Sequence, residues 1–99
     1  MIKILIADDH PIFRDGLKSI IEEETDMVIE DEVSSGKEVL SLISKKKYDV
    51  LLLDIDMPEM NGLAVLGHIK EMGVSLPVLM LSFYPESQYA VRSLKLGAK

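Results

Sequence analysis

Apolar residues fall along this chain in two rhythms. Short continuous apolar runs occupy Ile4–Ala7, Val50–Leu53 and Val78–Leu81. Runs of this kind suit parallel strands covered on both faces. Met27–Val33 mixes apolar residues with Glu30, Asp31 and Glu32, which suits an edge strand whose charge discourages pairing with other chains. Between these runs the period lengthens to that of a helix. Phe13, Leu17, Ile20 and Ile21 share one helical face, and Pro11 suits the first turn, where its missing N–H is harmless. Ser35 and Glu38 have the spacing of a capping box, and Val39, Leu40, Leu42 and Ile43 form the stripe that follows. Asn61-Gly62 breaks the chain before a third helix carrying Leu63, Leu66 and Ile69. A fourth helix is expected from Pro85 to Leu96, with Ala90, Val91 and Leu94 inward and Gly97 as its C-terminal cap.

The order is βαβαβαβα. Alternating strands and helices imply an α/β fold, a doubly wound parallel sheet with right-handed crossovers. The 99 residues make one domain, 1–99, with no internal repeat or low-complexity tract. In such sheets ligands bind beyond the C-terminal ends of the strands, so the residues that close the strands come first in any search for chemistry.

Composition then removes several classes of function. The net charge of −6 argues against nucleic-acid binding by this chain alone, because a phosphate backbone requires a basic face. No apolar run approaches the length of a membrane span, and the N-terminus has no signal-peptide pattern. The chain contains no cysteine, which excludes disulfides and thiolate chemistry. These features fit a cytoplasmic protein. Glu22–Glu24 and Glu30–Glu32 are read as solvated faces. Lys45–Lys47 complements the dipole at the end of the second helix.

Four acids stand apart from that background. Asp8 and Asp9 follow the first apolar run, Asp54 ends the third strand, and Asp56 lies two residues on. On neighbouring strands these carboxylates converge, and like charges so close repel one another. A hard divalent cation resolves that repulsion, and Mg2+ is typically held by one or two carboxylates together with phosphate oxygens. Ser82 closes the fourth strand, where its hydroxyl can donate to a phosphoryl oxygen. A carboxylate can act as a nucleophile and form an acyl phosphate, and Asp54 is the candidate.

Taken together, these segments resemble the receiver domains of bacterial response regulators. The resemblance rests on Ile4-Leu5-Ile6-Ala7-Asp8-Asp9-His10, on Leu51-Leu52-Leu53-Asp54-Ile55-Asp56-Met57-Pro58-Glu59-Met60-Asn61-Gly62, on Pro77-Val78-Leu79-Met80-Leu81-Ser82 and on Leu94-Lys95-Leu96-Gly97-Ala98. Asp8 through Leu17 resembles the subgroup whose receivers precede a LuxR-type helix-turn-helix domain. The resemblance implies a flavodoxin-like receiver fold with strand order 2-1-3-4-5 and a phosphorylated Asp54. It implies Mg2+ bound by Asp9 and Asp54 directly, by Asp8 through water and by the backbone carbonyl of Asp56. Ser82 would contact the phosphoryl group and move with the switch. Asp56 and Tyr84 would occupy the positions that tune the lifetime of the phosphoryl group. The implied partner is a sensor histidine kinase, and the implied output is a transcription domain outside this chain.

The chain departs from the family pattern after Ala98. The resemblance implies a fifth strand and a fifth helix beyond Lys99, with the family's phosphate-contacting lysine among them. Their absence predicts a bare sheet face and self-association through an exposed edge or helix packing. His10, in the turn before Pro11, is assigned a turn role, and His68 a surface one. The methionines are read as core fillers, and Phe83, Tyr84 and Tyr89 as surrounding the fourth helix, where the family contacts partners. Two rival readings remain. Asp54-Ile55-Asp56 also fits the Asp-x-Asp signature of haloacid-dehalogenase-type phosphatases, and a non-phosphorylated interaction module is the other.

Overall fold

The computed structural model describes residues 1–55, 57 and 60–81. Seven elements follow in order: β1 (Ile2–Ala7), α1 (Pro11–Glu22), β2 (Met27–Val33), α2 (Gly36–Ile43), β3 (Val50–Asp54), α3 (Gly62–Met72) and β4 (Val78–Leu81). The strands form one sheet in the order β2-β1-β3-β4, with every neighbouring pair parallel. The expected α/β doubly wound parallel sheet is therefore present, with β2 at the edge. The fourth predicted helix, Gly97, Phe83, Tyr84 and Tyr89 lie outside the described residues.

Strand alternation decides which helix covers which face. Ile4 and Ile6 of β1, Val50 and Leu52 of β3, and Leu81 of β4 pack with Phe13, Leu17, Ile20 and Ile21 of α1. Leu5, Ala7, Leu51 and Leu53 point the other way, toward Val39 and Ile43 of α2 and Val65 and Ile69 of α3. The central strands β1 and β3 are apolar on both faces because both faces are covered. Burying a side chain of this size contributes roughly 1.5–3 kcal/mol.

The edge strand changes phase halfway along. Ile29 pairs with Ile4, but the next pair joins Asp31 to Leu5, so Glu30 is bulged out of register. Met27 and Ile29 thus face α1 while Val33 joins the opposite layer. A one-residue slip exchanges the faces of a strand, which lets a strand with three consecutive acids bury an apolar residue at each end.

Helix ends follow local chemistry. Pro11 opens α1 without a side-chain cap from His10. The Ser35 hydroxyl accepts from Glu38 N, and the Asn61 side chain accepts from Ala64 N at 2.9 Å. Gly73 closes α3 at φ 72°, a left-handed conformation that glycine adopts without a Cβ penalty. One expectation fails here. Leu63 does not face inward: it is 64% exposed, Leu66 is half-buried, and Gly62, Val65 and Ile69 form the packed face of α3.

Candidate functional site

The register of β1 and β3 places the acidic residues. Ala7 pairs with Leu53, so Asp8 and Asp54 are side by side at the C-terminal edge of the sheet. Both are buried, Asp8 at 0% exposure and Asp54 at 2%. Asp9 is half-buried in the turn that leaves β1. One ligand atom from each of Asp8, Asp9, His10 and Asp54 can be chosen so that all four lie within 4.8 Å of one another.

The turn is folded around Asp8. Its backbone N–H donates to Val33 O at 3.0 Å, and its carboxylate Oδ1 accepts from the backbone N–H of His10 at 2.9 Å. That turn carries the His10 ring back over the sheet edge. Nδ1 lies 3.0 Å from Asp8 Oδ1, 3.0 Å from Asp54 Oδ2 and 3.1 Å from Asp9 Oδ1. The turn role assigned to His10 is therefore incomplete, because its ring belongs to the carboxylate cluster. Burial pulls the imidazole down. The hydrogen bond to Asp8 and the charges of Asp9, Asp54 and Asp8 outweigh that effect and raise it above its usual 6.5.

Arg14 supports the same turn from α1. Its Nη2 donates to the carbonyl of Asp8 and lies 3.4 Å from that of Val33. The guanidinium thereby joins the ends of β1 and β2, with Glu32 3.8 Å from Nη1. An arginine four residues after His10, one helical turn into α1, was the only trace of this role in the sequence.

Glycine brings α3 close to the site. Gly62 N–H donates to Ile55 O at 2.8 Å. Ile55 N–H donates in turn to Leu81 O at 3.1 Å, joining the segment after Asp54 to the end of β4. Met57 is buried in the layer that includes Val39 and Val65. Asp56, Pro58, Glu59 and Ser82 lie outside the described residues, so their expected positions at the site have no geometry to report.

The residues present fit a divalent cation. Three carboxylates meet at one point, and Asp8 Oδ2 and Asp9 Oδ1 are buried without a hydrogen-bond partner. Asp9 Oδ1 is near His10 Nδ1 but out of line for a hydrogen bond. Buried carboxylate oxygens normally find donors or a metal, and the oxygens of these three carboxylates suit Mg2+. A groove of about 510 Å³ between the end of α2 and the loop before β4 lies at the opposite end of the strands, away from this chemistry.

Comparisons with known proteins agree with this architecture. A family model described as the response regulator receiver domain matches residues 4–99. The transcriptional regulatory protein YdfI of Bacillus subtilis is 38% identical over 99 residues, covering 100% of this chain and 46% of the relative. The nitrate/nitrite response regulator protein NarL of Escherichia coli is 36% identical over 95 residues, covering 96% of this chain and 44% of the relative. The chain thus spans about half the length of these curated relatives. Among solved structures, the signal receiver domain of a NarL response regulator from Mycobacterium tuberculosis superposes with a TM-score of 0.76 at 29% identity, covering 98% of this chain and 78% of that one. The response regulator domain of CheB from Thermotoga maritima gives a TM-score of 0.76 at 30% identity, covering 99% and 74%.

Proposed function

This chain belongs to the response regulator receiver domain family of two-component signalling, and from that membership we propose that Asp54 accepts a phosphoryl group from a sensor histidine kinase. Receivers of this family are signalling modules, which sets aside the haloacid-dehalogenase reading of Asp54-Ile55-Asp56. The observation that carries the proposal is the convergence of Asp8, Asp9 and Asp54 at the C-terminal edge of β1 and β3.

The chemistry follows from the carboxylates. An oxygen of Asp54 attacks the phosphorus of a phosphohistidine, the P–N bond breaks, and the imidazole leaves with the electron pair. The product is an acyl phosphate on Asp54. Asp54 is held for this at the end of the buried strand β3, and the next residue, Ile55, is tied to the end of β4. Asp8, Asp9 and Asp54 would hold Mg2+, with the Asp56 carbonyl as a further ligand. A bound Mg2+ neutralises charge on the phosphoryl oxygens and on the carboxylates around them. Ser82 contacts the phosphoryl group and shifts with it, biasing the fourth helix toward a partner-binding arrangement. The relatives named as transcriptional regulators support a transcription output for the longer protein.

The test is phosphorylation by a small phosphodonor in the presence of Mg2+, read by intact mass. A gain of one phosphoryl group that disappears in Asp54→Asn is expected. No gain overturns the proposal and leaves the interaction-module reading, and a gain that persists in Asp54→Asn overturns it by placing the phosphoryl group on another residue.

A further inference from the structure

Three carboxylates would satisfy Mg2+ without help from nitrogen, yet a fourth side chain stands among them. His10 Nδ1 is nearly equidistant from Asp8 Oδ1 and Asp54 Oδ2, both at 3.0 Å, and Asp9 Oδ1, at 3.1 Å. A single N–H serves one acceptor well and cannot serve three. Asp9 Oδ1 accordingly remains buried without a hydrogen-bond partner, as does Asp8 Oδ2 on a wholly buried side chain.

The spacing has another reading. Ligand atoms about 2.1 Å from an octahedrally coordinated ion stand about 3.0 Å from their neighbours. The three distances around Nδ1 match that edge length. Hydrogen bonding explains two of the three contacts, whereas a shared cation explains all three along with the orphaned Asp9 Oδ1.

We propose that His10 Nδ1 is a nitrogen ligand of the Asp8–Asp9–Asp54 site, making it select a borderline transition ion such as Zn2+ over Mg2+ more strongly than its carboxylates alone would. The inference rests on the metal-binding part of the function proposed above. Imidazole suits borderline transition ions, whereas carboxylate, carbonyl and water suit Mg2+. His10 is well placed for a ligand added to an existing site. Its side chain caps no helix, so its removal leaves the start of α1 intact.

The experiment measures binding of Mg2+, Mn2+ and Zn2+ by titration calorimetry in a His68→Ala background. The chain contains two histidines, so His10 is then the only imidazole. His10→Ala and His10→Gln are compared with their parent, and circular dichroism verifies that each is folded. Zn2+ affinity is expected to fall by about 10–100-fold or more, the loss typical of a supporting residue, with a much smaller change for the oxygen-preferring Mg2+ and Mn2+. In the parent, Zn2+ is expected to shift the 15N resonance of His10 Nδ1 more than that of Nε2. An unchanged ratio of Zn2+ to Mg2+ affinity in both variants overturns the inference while leaving the carboxylate site intact. Tighter binding of every ion after His10 is removed overturns it as well, because His10 would then be a competitor. Failure of every ion to bind parent and variants overturns the inference together with the metal-binding reading beneath it.

Discussion

A Cβ on Gly62 would stand 2.6 Å from the backbone oxygen of Asp54 and 3.0 Å from Ile55 Cα. Both contacts are with backbone, which has little room to yield. Gly62→Ala is expected to push α3 away from the end of β3, destabilising the domain by about 1–3 kcal/mol. Asp54 sits at that contact, so phosphorylation by a small donor is expected to slow as well. Urea unfolding and the initial rate of phosphorylation measure the two effects. An alanine variant matching the parent in both would show that the backbone adjusts without strain.

Tyr48 and Asp31 make part of the fold's stability depend on pH. The Tyr48 hydroxyl donates to Asp31 Oδ2, and Lys46 Nζ lies 3.0 Å from the same oxygen. The hydrogen bond from Tyr48, then Lys46, holds Asp31 below its usual 3.8. A carboxylate lowered by folding stabilises the native state above its unfolded pKa, and that contribution fades as pH falls through the folded value. Tyr48 is raised above its usual 10.0, by burial first and then by Asp31. Its contribution is present below pH 10 and fades as pH climbs past that value. Tyr48→Phe is expected to lower the melting temperature near neutral pH and to flatten the losses at both extremes. Melting curves from pH 3 to 11 test this, and a parallel offset at every pH would contradict it.

Much of the fold could be read from sequence because the strands carry a strong signal. β2 and β4 have the expected ends, while β1 begins two residues earlier and β3 runs one residue further. Continuous apolar runs specify buried strands without any knowledge of their neighbours. The α3 face was harder to read. Leu63, Val65, Leu66 and Ile69 offer more than one apolar stripe, and hydrophobic counting does not register glycine. Gly62 settles the phase through its close approach to Asp54, which turns Leu63 outward.

That difference has a measurable consequence. Leu63→Lys is expected to change stability by no more than about 0.5 kcal/mol, as an exposed position should. Ile69→Ala removes a buried side chain and is expected to cost about 2–5 kcal/mol. Chemical denaturation of both variants decides the matter, and a large loss from Leu63→Lys would restore the stripe expected from periodicity.

The site was legible where it depends on strand ends and obscure where it depends on a turn. Asp8, Asp9 and Asp54 were expected together because neighbouring parallel strands must bring their C-terminal ends to one edge. His10 looked local, between two acids and a proline. Its ring nevertheless meets a carboxylate 44 residues away, an encounter set by the path of the turn. Arg14 was missed for a similar reason, since its acceptors are backbone carbonyls of Asp8 and Val33 that no sequence pattern marks.

The clustered charges predict a dependence of stability on metal. Asp8, Asp9 and Asp54 repel one another until a cation is shared among them. An ion that binds the native state alone adds about 2.7 kcal/mol at a hundred times its dissociation constant. Mg2+ is therefore expected to raise the melting temperature of the parent, and a chelator to reverse the rise. Asp54→Asn removes one of the three charges while retaining an oxygen that can accept from His10. The metal-free variant is expected to melt no lower than the metal-free parent, and to gain less from Mg2+. Two series of melts, with chelator and with saturating Mg2+, separate these terms. A parent whose melting temperature does not respond to Mg2+ would mean that the buried carboxylates are stabilised by the protein alone, with His10 as their principal counter-charge.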